Sequence, residues 1–344
     1  MSKTYKFGIV GCGIIAPHHI ESVMNVKNCE VTAVCDIVEE KARELSEKYK
    51  IKKIYKDYKD LVRDKDVDIV CICTPSGKHG EVAIAAANAK KHIFCEKPIE
   101  ITKAKIDEMI KAVRDNGVKM ACVFQMRTEP ASIAVKKAID EGKLGRIILA
   151  DTSLKCYRSP EYYKSADWRG TWELDGGGAL MNQGVHTIDM LLWIAGDVDS
   201  VFARAAAQVR NIEVEDTAVA VLKFKNGAFG VIIGATSIYP GQVSKCEIHG
   251  EKGTICFDTK SITQWDIEGN EDEKAPEFDA MESETEKDPG RFSPLSHMSL
   301  IEDFVQALDE GREPMIPPEE ARKAVDLILA IYESNKTGKD VKLG

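Results

Sequence analysis

Three groups of residues in this chain have types and spacings that can do chemistry. The first is Gly11-Cys12-Gly13-Ile14-Ile15-Ala16, with Asp36 further on. The run fits G-x-G-x-x-G/A. The first glycine permits a tight turn, the second lets a pyrophosphate approach the backbone, and the small last residue lets a helix pack close to the sheet. Free N–H groups around Cys12, Ile14 and Ile15, at the start of such a helix, attract phosphate. Asp36 ends an apolar run over residues 30–35. A carboxylate there accepts both hydroxyls of an adenosine ribose and repels a 2′-phosphate, so NAD is the expected cofactor and NADP the less favoured one. A lone glycine motif is weak evidence. Here the apolar run before it, the helical stretch after it and the acid all agree.

The second group is Glu96-Lys97-Pro98, directly after the apolar run HIFC. It falls at the carboxyl edge of a parallel sheet, where open α/β folds bind ligands. A lysine at that place lies beside a bound nicotinamide, and Glu96 is counted with the same site. A proline after it, cis or trans, gives the lysine a fixed direction. Thr74-Pro75-Ser76-Gly77-Lys78-His79 ends the preceding apolar run and shares that edge. Thr74, Ser76 and His79 are therefore expected cofactor contacts, although a helix cap explains the segment as well.

The third group lies in DGGGALMNQGVHTIDMLLW, residues 175–193. On a helix, Asn182, His186 and Asp189 fall at i, i+4 and i+7 and share one face. Three glycines before them let backbone approach a ligand, or simply make a flexible loop. A single helical histidine is often a core residue. An amide and an acid on its face, just after the glycines, turn the reading toward acid–base chemistry. No Cys, His or Glu spacing signals a metal site, and none is expected.

Elements must hold these groups in place. Apolar runs near residues 7–10, 30–35, 67–74, 92–95 and 119–124 alternate with helical patterns over 38–49, 77–90 and 103–116. Strands separated by single helices imply parallel crossovers and a doubly wound sheet, ending near residue 125. Beyond it come a helix over 130–142, a strand over 146–157, an irregular aromatic stretch and a helix over 178–195. Several runs bounded by turns follow, with Asn226-Gly227 as the strongest hairpin signal. The fold class is thus α/β: a Rossmann domain over 1–125 and an α+β domain over 126–344 with a large, mostly antiparallel open sheet. Residues 268–292 are acidic and read as a surface excursion. Helices over 298–310 and 318–335 close the chain.

Composition sets limits. The chain has 344 residues, room for two cores, with 44% hydrophobic and 30% charged residues. A net charge of -9 without a basic block speaks against nucleic-acid and membrane-surface partners. No apolar run reaches membrane-span length. MSKTYK leads straight into the first strand, which leaves no room for a signal peptide and points to the cytoplasm. The ten cysteines lie mostly in apolar runs and read as reduced, buried thiols.

The combination GCGIIA, TPSGKH, FCEKP and GGGALMNQGVHTID resembles the family of glucose–fructose oxidoreductase and inositol dehydrogenase. The motifs run in order over nearly the whole chain. The resemblance implies an N-terminal Rossmann domain and a C-terminal α/β domain whose sheet is often an oligomer interface. It also implies hydride transfer between nicotinamide and a secondary alcohol of a sugar, cyclitol or sugar derivative. The family lysine corresponds to Lys97, and its D-x-x-x-H pair falls on Asn182 and His186. An asparagine cannot take a proton, so Asn182 orients, and Lys97 and His186 share the acid–base work. A buried site beside a positive nicotinamide favours a neutral lysine. Expected substrate contacts are Lys97, Gln125, Tyr157, Arg158, Asn182 and His186. Aromatics and arginines there suit carbohydrate faces and hydroxyls or a carboxylate. The resemblance also takes Trp168 and Arg169 toward the nicotinamide side of the cofactor. Alternatives are an enzyme of the same fold that reduces a non-sugar carbonyl, a glycosidase that oxidises transiently, and a non-catalytic dinucleotide-binding regulator. Apolar runs over 218–238 on one sheet lead to the expectation of a homodimer or homotetramer.

Overall fold

The computed structural model describes residues 3–258, 261–270, 272–278 and 294–344. The chain forms two compact units. The first alternates β1 (Tyr5–Val10), α1 (Ala16–Asn25), β2 (Cys29–Cys35), α2 (Glu39–Tyr49), β3 (Lys53–Tyr55), α3 (Tyr58–Leu61), β4 (Ile69–Ile72), α4 (His79–Asn88), β5 (His92–Cys95), α5 (Lys103–Asn116) and β6 (Met120–Cys122). The strands form one six-stranded sheet in the order β3-β2-β1-β4-β5-β6, parallel throughout. A parallel sheet covered on both faces needs strands that are apolar on both sides. Phe7, Ile9, Ile69, Ile72, Ile93 and Phe94 supply this and are fully buried. The order reverses between β1 and β4, which makes a crevice at their carboxyl ends.

Local chemistry sets the helix ends. Pro17 stands in the first turn of α1, where no intrahelical donor is lost. Thr102 caps α5 by accepting from the Lys105 N–H.

The second unit contains α6 (Pro130–Asp140), β7 (Ile147–Lys155), α7 (Pro160–Lys164), α8 (Val185–Ala195), β8 (Val198–Ala206), β9 (Thr217–Phe224), β10 (Phe229–Ala235), β11 (Lys245–Gly250), β12 (Gly253–Phe257) and β13 (Ile262–Ile267). Helices α9 (Pro294–Glu310) and α10 (Pro318–Thr337) and strand β14 (Val341–Lys342) end the chain. Eight strands form an open sheet in the order β13-β12-β11-β7-β10-β9-β8-β14. Only β7 and β10 run parallel; the other pairs are antiparallel. The β9–β10 hairpin turns at Asn226-Gly227, with Gly227 at φ 91°. In β9, Ala218, Ala220, Leu222 and Phe224 are buried while Val219, Val221 and Lys223 face out. This period of two leaves one face of the sheet on the core and the other open.

Two findings depart from the sequence reading. Helix α9, grouped there with the second domain, folds with the first unit. It packs on α1, and the Tyr5 hydroxyl donates to Asp309 at 2.7 Å. The helix expected over 178–195 opens as a wider π-type turn over Ala179–Gly184 before α8 begins. Of the acidic stretch 268–292, residue 271 and residues 279–292 lie outside the described residues.

Candidate active site

The glycine loop joins β1 to α1. Gly11 has φ 95°, and a Cβ there would come within 2.6 Å of the Cys73 backbone. Only glycine lets the ends of β1 and β4 come so close. A Cβ at Gly13 would meet nothing within 4 Å, so the space above the loop is open. Asp36 follows β2. Its Oδ2 accepts from the Cys12 N–H and its Oδ1 from the Val38 N–H, both at 2.8 Å. The carboxylate thus reaches the glycine loop itself. Ile14 and Ile37 are exposed, with no arginine beside them in sequence. Open space over the loop and an acid beside it fit a dinucleotide, with Asp36 at a ribose and the N–H groups around Gly13, Ile14 and Ile15 at the phosphates.

At the next strand end, Ser76 opens a short 3₁₀ turn before α4. The Thr74 hydroxyl is buried without a hydrogen-bond partner among the described residues. His79 is buried, with its ring nitrogens 2.8 Å from the Pro98 carbonyl and 2.9 Å from the Thr74 carbonyl. Its side chain therefore ties two loops of the sheet edge together. Lys97 lies on the loop after β5, half-buried, and the Lys97–Pro98 peptide is cis.

The sequence groups Glu96 with the cofactor contacts, but its side chain turns into the protein. Oε1 lies 2.6 Å from His19 Nε2 and 3.7 Å from His297 Nε2, and Oε2 accepts from the Lys97 N–H at 3.1 Å. Burial alone would raise this carboxyl. Hydrogen bonds from His19 and His297 outweigh burial and hold it well below the usual carboxylate range. Burial also disfavours a charged His19. The adjoining Cys71, lowered to about 6 and so a thiolate, and the Glu96 carboxylate reverse that and raise the ring to about 10. Glu96 thus anchors the backbone of the lysine loop to a buried histidine pair. Neither histidine stood out in sequence, because His19 sits on α1 and His297 on α9, far apart in the chain.

In the second unit the triple glycine has a packing reason. A Cβ at Gly177 would lie 2.1 Å from the Tyr332 hydroxyl, and one at Gly178 would lie 1.9 Å from the Glu215 carbonyl oxygen. The buried Glu215 carboxylate accepts from the N–H groups of Gly178 (3.0 Å) and Leu180 (2.8 Å) and from the Tyr332 hydroxyl (2.9 Å). These bonds hold the π-type turn that precedes α8.

His186 lies in the first turn of α8 and is 7% exposed. Asp189, expected on the same face, forms a bidentate pair with Arg127: Nε to Oδ2 at 2.8 Å and Nη2 to Oδ1 at 2.6 Å, all buried. Arg127 went unnoticed in sequence, since nothing local links it to a residue so far along the chain.

Asn182 donates to Asp175 and accepts from Gln183 Nε2 at 2.6 Å. Gln183 Nε2 also reaches the Tyr162 hydroxyl at 2.9 Å, and Gln183 Oε1 takes two bonds from Arg158. Arg169 donates to the same Tyr162 hydroxyl, and its guanidinium lies 4.2 Å from the Tyr162 ring centre and 4.7 Å from that of Trp168. Tyr157 is partly exposed beneath Arg210. Gln125 stands at the chain's passage from the first unit to the second, in a short 3₁₀ turn.

A parallel sheet whose order reverses at a glycine loop, with an acid on that loop and a lysine on the neighbouring edge, defines a dinucleotide-dependent oxidoreductase class. The comparisons agree. Residues 5–124 match a family model described as the oxidoreductase family's NAD-binding Rossmann fold. Residues 136–343 match that family's C-terminal alpha/beta domain. The chain belongs to this family, that of glucose–fructose oxidoreductase and inositol dehydrogenase, and is an NAD-dependent oxidoreductase. It is 29% identical over 344 residues to a myo-inositol 2-dehydrogenase of Thermotoga maritima, covering 98% of each chain. It is 32% identical over 257 residues to an inositol 2-dehydrogenase of Salmonella typhimurium, 73% of each. Among solved structures it is similar to the WlbA dehydrogenase of Bordetella pertussis in complex with NADH and UDP-GlcNAcA. That likeness has a TM-score of 0.89 and 32% identity, over 100% of this chain and 99% of the other.

Proposed function

We propose that this protein oxidises a secondary alcohol of a sugar, cyclitol or sugar derivative, with Lys97 and His186 sharing the hydroxyl proton. The observation that carries the reading is Lys97 itself, on the loop after β5 at the carboxyl edge of a dinucleotide-type sheet. NAD⁺, when bound, takes the hydride from the carbinol carbon. The chain's own groups do the rest. The Gly11–Ala16 loop holds the phosphates and Asp36 the adenosine ribose. Thr74 and Ser76 line the same edge. Lys97 or His186 removes the hydroxyl proton as the carbonyl forms, and the other passes it on. Asn182, held by Asp175 and Gln183, orients the hydroxyl without taking its proton. Gln125, Tyr157 and Arg158 contact the remainder of the sugar, Trp168 faces the nicotinamide side, and Arg169, stacked between Trp168 and Tyr162, stands between the two. The names of the relatives, which concern inositol and a nucleotide-linked sugar acid, support this substrate class.

The same reading places the protein in the cytoplasm, where its ten free cysteines stay reduced. It also makes the protein a homodimer or homotetramer. Phe202 pairs across strands with Val221, and Val221 with Val231, on the open sheet face. Val221 is 54% and Phe229 60% exposed. An apolar stripe of this kind is commonly covered by a second copy.

The test is absorbance at 340 nm with NAD⁺ and a panel of polyols, sugars and sugar acids. Net NADH formation on a member of the panel supports the reading. Hydrolysis of a glycoside with no net NADH, or dinucleotide binding with no reaction on any member, removes it.

A further inference from the structure

We infer that the substrate carries an anionic group, a carboxylate or a phosphate ester, and that Arg158 and Arg169 receive it, with Arg210 adding a third positive charge nearby. This rests on the dehydrogenase reading above and narrows its substrate class. The chain is acidic overall and pairs most of its other described arginines, as in Arg43 with Glu39, Arg146 with Glu251 and Arg312 with Glu310; Arg204 lies against Phe202. Among the described residues, Arg158, Arg169 and Arg210 form no ion pair, yet they gather around two tyrosines of one segment.

Arg158 gives Nε and Nη2 to Gln183 Oε1, at 3.2 and 2.8 Å, which leaves Nη1 open. Arg169 gives Nη1 to the Tyr162 hydroxyl and keeps Nη2 open. The two guanidiniums flank the same ring, at 5.4 and 4.2 Å from its centre. Arg210 stacks 5.1 Å from the Tyr157 ring centre. The loop that carries it is held by Asp216, which accepts from the N–H groups of Gln208, Val209 and Arg210.

Two of the acids near this cluster are engaged by other donors, and the exposed Glu161 bonds Ser159 and interacts at longer range with Lys164 and Arg210. Asp175 accepts from Asn182 through one oxygen and from the Gly170 N–H through the other. Asp216 serves its loop. Among the described residues, Arg169 Nε and Arg210 Nε and Nη2 are buried with no hydrogen-bond partner. Partly desolvated guanidiniums without an ion-pair partner cost the fold stability. Bidentate donors in this state are the usual receptor for carboxylate or phosphate, whereas a neutral polyol needs only hydroxyl partners. Gln183 links Arg158 to Asn182, so the charged cluster and the orienting amide belong to one hydrogen-bonded network.

The experiment is calorimetric titration of the NADH-loaded protein with glucose, glucuronate, glucose 6-phosphate, UDP-glucose and UDP-glucuronate. Turnover of each with NAD⁺ is followed in parallel. At least one anion should bind roughly tenfold or more tightly than glucose, the strength of a charge-assisted contact. Preference for the two uronates identifies a carboxylate. Preference for glucose 6-phosphate and both UDP-sugars identifies a phosphate. Arg158→Gln and Arg169→Gln should each abolish most of that preference, and Arg158→Lys should keep part of it. Unchanged NADH affinity in Arg158→Gln and Arg158→Lys shows that these variants are folded. Glucose binding as tightly as every anion overturns the inference, as do glutamine variants that keep the full preference. Anion binding without turnover of any compound leaves the inference standing and defeats the dehydrogenase reading. Turnover of neutral polyols alone does the reverse.

Discussion

The carboxyl edge of the parallel sheet and the aromatic segment before α8 both gather polar groups, and they do so in opposite ways. At the sheet edge the polar groups are mostly backbone, and the side chains secure that backbone. His79 ties the Thr74 loop to Pro98, and Glu96 holds the Lys97 N–H from within the core. In the second unit the presented groups are side chains, Asn182, Gln183, Tyr162, Arg158 and Arg169, bonded mainly to each other. A backbone cradle suits a ligand that never changes. A side-chain network is retuned by single substitutions and suits a substrate that differs between relatives. The first region should therefore tolerate little change, and the second should change specificity before it loses fold.

The largest expected effect tests both regions at once. Lys97→Ala and His186→Ala should each lower kcat by roughly 10²- to 10⁴-fold, the range for a lost general acid–base group. If the two form one relay, the double variant should be far less than multiplicatively worse. Near-normal turnover in His186→Ala, measured on a verified substrate, would reduce that residue to a packing role.

Next come the buried pairs. Arg127→Met removes the bidentate guanidinium from the buried Asp189 and should cost about 3–5 kcal/mol in denaturant unfolding. His19→Gln should act similarly in the first unit, and there pH adds a signature. His19 is raised from 6.5 to about 10 in the fold, so its contribution is complete below pH 6.5 and is lost as pH rises through about 10. Glu96 is lowered, so its contribution is complete above pH 4.5 and falls away in acid. The Cys71 thiol beside His19 is lowered from 9.0 to about 6 and acts in the opposite sense to the histidine: its contribution is complete above pH 9 and is lost as pH falls through about 6, so the two offset each other near neutral pH. The signature therefore lies in acid: wild-type stability should fall below pH 4.5 as Glu96 takes up a proton, and His19→Gln should lessen that fall. An equal fall in both proteins would mean that His19 does not hold Glu96 in its charged form.

A smaller effect is expected at Asp36. Asp36→Ala should weaken NAD⁺ by roughly tenfold, the worth of a charged hydrogen bond, while kcat changes less. A wild type that prefers NADP⁺ tenfold would defeat the assignment. The mildest change is Asn182→Asp, which restores the family's commoner residue. The structure sharpens the expectation, because Asn182 donates to Asp175. An aspartate there puts two carboxyls in contact, and one must keep a proton to higher pH. The variant should stay active, and its pH–rate profile should gain a step that the wild type lacks.

The Rossmann sheet and the NAD class were legible in sequence for a physical reason. A glycine loop between a strand and a helix is a local device that works through its own backbone within a few residues. Alternating apolar runs likewise determined the parallel sheet, and Asn226-Gly227 determined the hairpin, because periodicity and turn chemistry act over short spans. Only the tertiary structure decided the rest. It turned Glu96 inward to His19 and His297, paired Asp189 with Arg127, and made the triple glycine a seat for Tyr332 and Glu215 rather than a loop. It moved α9 to the first unit and opened α8 with a π-type turn. Each of these depends on partners distant in the chain, and the energy of burying and satisfying a polar group is set by whichever partner the fold brings near, not by sequence spacing.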